Sequence, residues 1–161
     1  MGTGTGAIAL ALASELPEAS VTGVDFQAGA VNLATRNAQA NSIVNAHFVQ
    51  SDWFSALAGQ TFDIIVSNPP YIEESSTYLN EGDVRFEPKT ALTSGTDGLD
   101  DIKHIINSAP QYLNKGALLA FEHGFDQGAA VNALLVDAGF VEVKTVKDYG
   151  DNDRVTLGQW Q

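Results

Sequence analysis

Residues 2–25 read "GTGTGAIALALASELPEASVTGVD", and the reading of this stretch decides the fold. Three glycines spaced two apart (Gly2, Gly4, Gly6) open directly into the apolar run 7–16, which suits a helix and is stopped by Pro17. "SVTGVD" (20–25) then reads as a short strand that ends in an acid. Glycines permit positive φ and leave no Cβ between the backbone and a ligand. Asp25 lies nineteen residues beyond Gly6, where a carboxylate can accept from two ribose hydroxyls, as in dinucleotide folds. Spacing leaves alternatives open. Gly4, Gly6 and Ala9 also satisfy the G-x-G-x-x-A form of a nicotinamide site, and a plain tight turn before a helix fits as well.

Outward from this stretch, helix-like and strand-like segments alternate. A helix is expected over 28–41, strands over 46–52 and 62–68, then a long polar stretch to about Gly98. A helix over 99–113, a buried strand over 116–124 and a helix over 126–139 follow. The end holds two alternating runs around "YGDND", an antiparallel pair. Strands separated by helices imply an α/β, Rossmann-like, mostly parallel sheet covered on both faces, with an antiparallel edge. No repeat, low-complexity tract or linker interrupts it, and one domain is expected over 1–161.

Three strand-like runs end in Asp25, Asp52 and Asn68. In open doubly wound sheets ligands bind outside the carboxyl ends of strands, so the three side chains are expected on one rim with the glycine loop. In "SDWF", Asp52 can accept from an exocyclic amine and Trp53 can wall a purine ring. A core anchor at Trp53 and a helix N-cap at Asp52 is an equal reading. "NPPY" (68–71) is the more selective feature. Proline has no N–H and restricts the residue before it, so the strand becomes a stiff, extended turn. Asn68 Oδ1 and the Pro69 carbonyl can receive both hydrogens of one –NH2 group, and Tyr71 can lie against the plane that carries it. Such a nitrogen is a poor nucleophile because its lone pair is delocalised. Two acceptors out of its plane favour a pyramidal nitrogen facing an electrophile, and positioning of this kind is worth roughly 7–11 kcal/mol.

The bulk numbers limit the partners. Among 161 residues, 20 are acidic and 8 basic, for a net charge of -12, which argues against a fold-wide grip on nucleic acid. The absence of cysteine excludes disulfides, thiolate metal sites and cysteine nucleophiles. No run reaches the length of a membrane span and no signal peptide is expected, so the cytoplasm is the expected compartment. His47, His104 and His123 show no ligand spacing, and no metal is expected. His104 belongs on the outer face of its helix. Asp100 and Asp101 suit a helix N-terminus.

With "GTGTG", Asp25, "SDW", "NPPY" and the final hairpin, the chain resembles the class I S-adenosylmethionine-dependent methyltransferases. "GDVRFEPKTAL" (82–92), "EHG" (122–124) and "DYGDNDRV" (148–155) make it closely similar to the bacterial peptide chain release factor glutamine-N5 methyltransferases. The resemblance implies methylation of the Gly-Gly-Gln loop glutamine of class 1 release factors with S-adenosyl-L-methionine. It implies that Gly2, Thr3, Gly4, Thr5 and Gly6 approach the methionine moiety, Asp25 the ribose, and Asp52 and Trp53 the adenine. Asn68 would meet both cofactor and substrate, with Pro69, Pro70 and Tyr71 shaping the glutamine slot. Residues 71–88 would form a flap, where Arg85 and Glu87 are either substrate contacts or a salt-linked lid. For "DYGDNDR" the simplest reading is a hairpin turn with Arg154 paired to a nearby acid.

Members of that family carry a helical N-terminal docking domain and an apolar strand ahead of the glycine loop; here Met1 stands where that strand ends. Both are expected to be absent, the strand being a central one. Its unpaired neighbours would lose about 1–3 kcal/mol per buried backbone group. A weakened or inactive chain is the expectation. Two rival readings remain: an adenine-N6 or rRNA guanine-N2 amine methyltransferase, and a catalytically silent cofactor- or partner-binding module.

Overall fold

The computed structural model describes residues 1–80 and 91–161, which form two compact units, Met1–Gln60 and Thr61–Gln161. The first is built from α1 (Ala7–Glu15), β1 (Val21–Asp25), α2 (Ala28–Ala40) and β2 (Ala46–Gln50). β1 and β2 run parallel, from Val21 opposite Ala46 to Asp25 opposite Gln50. Parallel neighbours need a crossover, and α2 supplies it. Both helices bury alanines four apart, Ala9 and Ala13 on α1 and Ala34 and Ala38 on α2. Side chains this small let a helix lie close to its strands, and Val24, Phe54 and Leu57 complete the apolar interior. The Asn45 amide donates to the carbonyls of Ala13 (3.0 Å) and Ala19 (3.0 Å), closing off the end of α1.

The second unit comprises β3 (Phe62–Ser67), α3 (Asp100–Ser108), β4 (Leu113–Glu122), α4 (Gly128–Asp137), β5 (Val141–Lys147) and β6 (Asp153–Gln159). Its sheet has the order β3-β4-β6-β5, with β3 and β4 parallel and the other pairs antiparallel. On α3, Ile102, Ile105 and Ile106 are buried at the i, i+3, i+4 spacing of one helix face. On β4, Ala117, Leu119 and Phe121 are buried at the period of two that a pleated strand dictates. α4 contributes Val131 and Leu135 to the same core.

The expected α/β alternation is found, with differences at the joins. The helix expected over 99–113 ends at Ser108 and is followed directly by a 3-10 turn (Ala109–Tyr112) that contains Pro110. Proline at that point removes an i→i−4 bond, so the chain tightens and β4 starts at Leu113. The terminal strands pair antiparallel as expected, but the last strand, β6, lies inside the sheet between β4 and β5. Among the described residues β1 pairs with β2 and β3 with β4, in two separate sheets. No helix among the described residues is long and apolar enough to cross a membrane.

Candidate functional site

In the first unit the glycine loop and the strand ends converge. The Thr3 N–H donates to the Val24 carbonyl at 2.8 Å, laying the loop along the end of β1. The Gly4 N–H donates to Asp25 Oδ2 at 2.9 Å, and the Gln27 N–H donates to Asp25 Oδ1 at 2.9 Å. Asp25 is therefore aimed by the backbone on both oxygens. An ionised carboxylate has about four lone-pair sites, so two remain for a ligand's hydroxyls. Gly4 is exposed with φ 53°, and a Cβ there would meet nothing within 4 Å. The loop thus leaves open space above the peptide that faces Asp25. Backbone donors, an oriented carboxylate and an open cradle fit a ribose-bearing cofactor.

Asp52 and Trp53 follow β2 on the same rim, since the Ser51 N–H donates to the Asp25 carbonyl at 2.9 Å. No helix begins here, so Asp52 is not a helix N-cap; residues 53–56 form turns. Ser51 is buried, its hydroxyl donating to the Trp53 carbonyl (2.8 Å) and accepting from the Ala56 N–H (3.0 Å). Phe54 and Leu57 are the core anchors, while Trp53 stays half-buried and Asp52 exposed. Trp53 has φ 45°, a left-handed conformation costly for a bulky side chain. Such strain persists where the surroundings impose it, and here the Ser51 hydrogen bonds do so.

In the second unit residues 68–71 leave the end of β3. Asn68 is exposed, Pro69 buried, and Pro70 and Tyr71 half-buried. The chain is caught again at Ile72, whose N–H donates to the Leu92 carbonyl (2.9 Å) and whose carbonyl accepts from the Ser94 N–H (3.0 Å). The Gln127 amide donates to the Tyr71 carbonyl at 3.0 Å and to the Asp97 carbonyl at 3.3 Å. Sequence reading missed Gln127 and Gly98. Their only signals are a polar residue before a helix and a glycine before an acidic helix start, both common and uninformative. Arg85 and Glu87 lie outside the described residues.

The "EHG" and "DYGDNDRV" stretches meet. His123 is fully buried; Nε2 lies 2.8 Å from Thr156 Oγ1 and Nδ1 lies 2.8 Å from the Gly124 carbonyl. A carbonyl only accepts, so Nδ1 carries a proton, and the Thr156 hydroxyl that meets Nε2 also meets Thr145 Oγ1 at 2.8 Å. Both ring nitrogens are thus engaged by the fold. Arg154 donates to the His123 carbonyl (3.1 Å) and to Asp148 (3.2 Å), the acid expected for it. Asp148 in turn accepts from the Gly150 and Asn152 N–H groups, closing the hairpin turn. The Asn152 N–H is the main cause that holds Asp148 below the usual carboxylate range. Asp97 is also held low, chiefly by the hydrogen bond from Lys103 at 2.6 Å. His104 is exposed, as expected of an outer helix face, and Asp100 and Asp101 occupy the first turn of α3. Among the described residues no group of three or more His, Asp or Glu side chains could hold a metal ion.

Residues 1–86 match the family model described as methyltransferase small domain. The chain is 56% identical over 160 residues to a release factor glutamine methyltransferase of Escherichia coli, covering 99% of this chain and 58% of that protein. It spans a little over half the length of the curated relatives it matches. Among solved structures, a methyltransferase from Pyrococcus furiosus superposes with a TM-score of 0.72 at 21% identity, over 98% of this chain and 71% of that one. A T. thermophilus 16S rRNA N2 methyltransferase in complex with AdoMet and guanosine gives 0.69 at 23% identity, over 100% of this chain and 36% of that one. At such identities these two likenesses speak for the Rossmann-like fold.

Proposed function

The chain belongs to the methyltransferase small domain family, and from that premise we propose that it transfers a methyl group from S-adenosyl-L-methionine to the side-chain amide nitrogen of a glutamine in a peptide chain release factor. The observation that carries the reading is the exposed Asn68 at the head of a proline turn that is hydrogen-bonded again directly after Tyr71. High identity to a relative named for this substrate supports the choice of glutamine over other planar nitrogens.

When bound, the cofactor supplies an electrophilic methyl on a sulfonium. The chain's own residues do the rest by position. The Asp25 carboxylate, aimed by Gly4 and Gln27, takes ribose hydroxyls, and the Gly2 to Gly6 loop lets the backbone approach the remainder. Asp52 takes an exocyclic amine and Trp53 walls the adenine. Asn68 Oδ1 and the Pro69 carbonyl accept the two hydrogens of the substrate –NH2, while Pro70 and Tyr71 border its slot. Held out of plane, the nitrogen lone pair is directed outward. The nitrogen would take the methyl as its bond to the sulfonium breaks, leaving a neutral thioether, and would release one proton to solvent, which needs no strong base because N–H acidity rises as the new bond forms.

The strongly acidic sequence speaks against a nucleic-acid substrate. The test offers labelled cofactor and the full-length protein three substrates: a class 1 release factor, rRNA and duplex DNA. Label confined to the release factor is expected. Label in RNA or DNA would establish the rival amine methyltransferase, and cofactor binding without any transfer would establish a silent binding module.

A further inference from the structure

The Gln127 amide uses every hydrogen-bonding atom it has. Its Oε1 accepts from the Gly124 N–H at 2.9 Å, and its Nε2 donates to the Tyr71 carbonyl at 3.0 Å and the Asp97 carbonyl at 3.3 Å. The opposite amide orientation would set –NH2 against an N–H and oxygen against two carbonyls, so the partners fix one orientation. The main chain around it is fixed too. The Gln127 N–H donates to the Gly124 carbonyl at 3.0 Å, and that carbonyl also faces His123 Nδ1 at 2.8 Å.

On the other side, Gly98 packs against the Tyr71 carbonyl. It has φ 70°, and a Cβ there would overlap that carbonyl and approach Gln127 Nε2 at 2.8 Å. The peptide between Tyr71 and Ile72 is therefore held on both faces: its oxygen by Gln127, its N–H by the Leu92 carbonyl at 2.9 Å. Upstream, Ser67 is ladder-paired opposite Phe121. Residues 68–71 hang between these two anchors, and at the downstream one the Gln127 amide, 56 residues away, holds the last carbonyl of the turn.

We propose that Gln127 is a positioning residue for the Asn68-to-Tyr71 turn, its amide clamping the Tyr71 carbonyl and so setting the angle at which the turn receives the substrate nitrogen. This rests on the proposed function only for the identity of the substrate; the clamp itself is a statement about the turn. Positioning errors of an ångström can cost about a hundredfold in rate, so a lost clamp is felt in turnover.

The test compares Gln127→Glu and Gln127→Ala in the full-length protein. Glutamate is isosteric and keeps the acceptor for Gly124 but turns a carboxylate oxygen toward two carbonyls. A packing role alone would leave Gln127→Glu near the parent. The clamp requires kcat to fall at least about tenfold in both variants, with glutamate no better than alanine and cofactor affinity by calorimetry within about twofold of the parent. A second readout needs no substrate. Tyr71-Ile72 is the sole Tyr-Ile pair in these 161 residues, so 13C-carbonyl tyrosine with 15N isoleucine marks this peptide, and loss of its resonance in Ile72→Val assigns it. That resonance is expected to shift in both variants. An unmoved resonance, or turnover within about twofold of the parent in Gln127→Glu, overturns the clamp. Parent protein that fails to methylate release factor overturns the proposed function instead, and the resonance still decides the clamp.

Discussion

The Gly4 N–H and the Asp25 carboxylate, 21 residues apart, meet at 2.9 Å and join the glycine loop to the end of β1. A charge-assisted hydrogen bond of this kind is worth about 1.5–3 kcal/mol. Asp25→Ala removes it together with the acceptor sites proposed for the ribose. Cofactor affinity measured by calorimetry is expected to weaken by at least about tenfold, since each 1.4 kcal/mol is a factor of ten.

Gly4→Ala separates strain from space. The left-handed φ costs an L-residue roughly 1–2 kcal/mol, which a thermal melt reads as a modest loss. The added methyl meets no protein atom within 4 Å, so any larger effect has to come from the ligand. Cofactor affinity is expected to fall by more than stability does; equal losses would show that the cradle holds nothing.

Gly98→Ala acts on the other unit. Its methyl is driven into the Tyr71 carbonyl and Gln127, and the backbone is strained as well. Overpacking costs typically about 1–3 kcal/mol beyond the left-handed penalty. A clear drop in melting temperature with cofactor affinity retained is expected from calorimetry on the same sample.

Acid titration reads the hairpin turn. Asp148 is held below its ordinary value, so it binds fewer protons when folded, and its contribution is complete above the unfolded pKa near about 3.9. That contribution is lost as pH falls through the depressed folded value. The stability difference between parent and Asp148→Asn is expected to be constant at neutral pH and to shrink below about pH 4. A difference that grows on acidification would reverse the assignment.

Much of this was legible in the sequence. Local punctuation gave the elements: Pro17 after α1, Asp25 at the end of β1, and the proline pair at the end of β3. These signals are short-range; β4 was read as a buried strand, and the structure buries one face of it, Ala117, Leu119 and Phe121, while Leu118 is exposed. The position of β6 inside the sheet was not legible, because pairing partners are set by long-range packing rather than by composition. At the site, Asp25 and Asn68 announced themselves as polar residues closing apolar runs. Gln127, Gly98 and Ser51 did not, because each acts on a main-chain carbonyl or amide, which leaves no mark on residue type. Asp52 was read as a helix cap on one alternative, and the left-handed Trp53 shows why no helix starts there.

The central claim is that the exposed Asn68 amide, on its anchored proline turn, holds a planar nitrogen for methyl transfer. Peptide-resolved mass spectrometry of a class 1 release factor, incubated with S-adenosyl-L-methionine and the full-length protein or its Asn68→Ala variant, tests it most directly. One methyl on the Gly-Gly-Gln glutamine with the parent, reduced at least about a hundredfold in the variant, is the predicted result. Equal methylation by both proteins, or a methyl on any other residue, would contradict it.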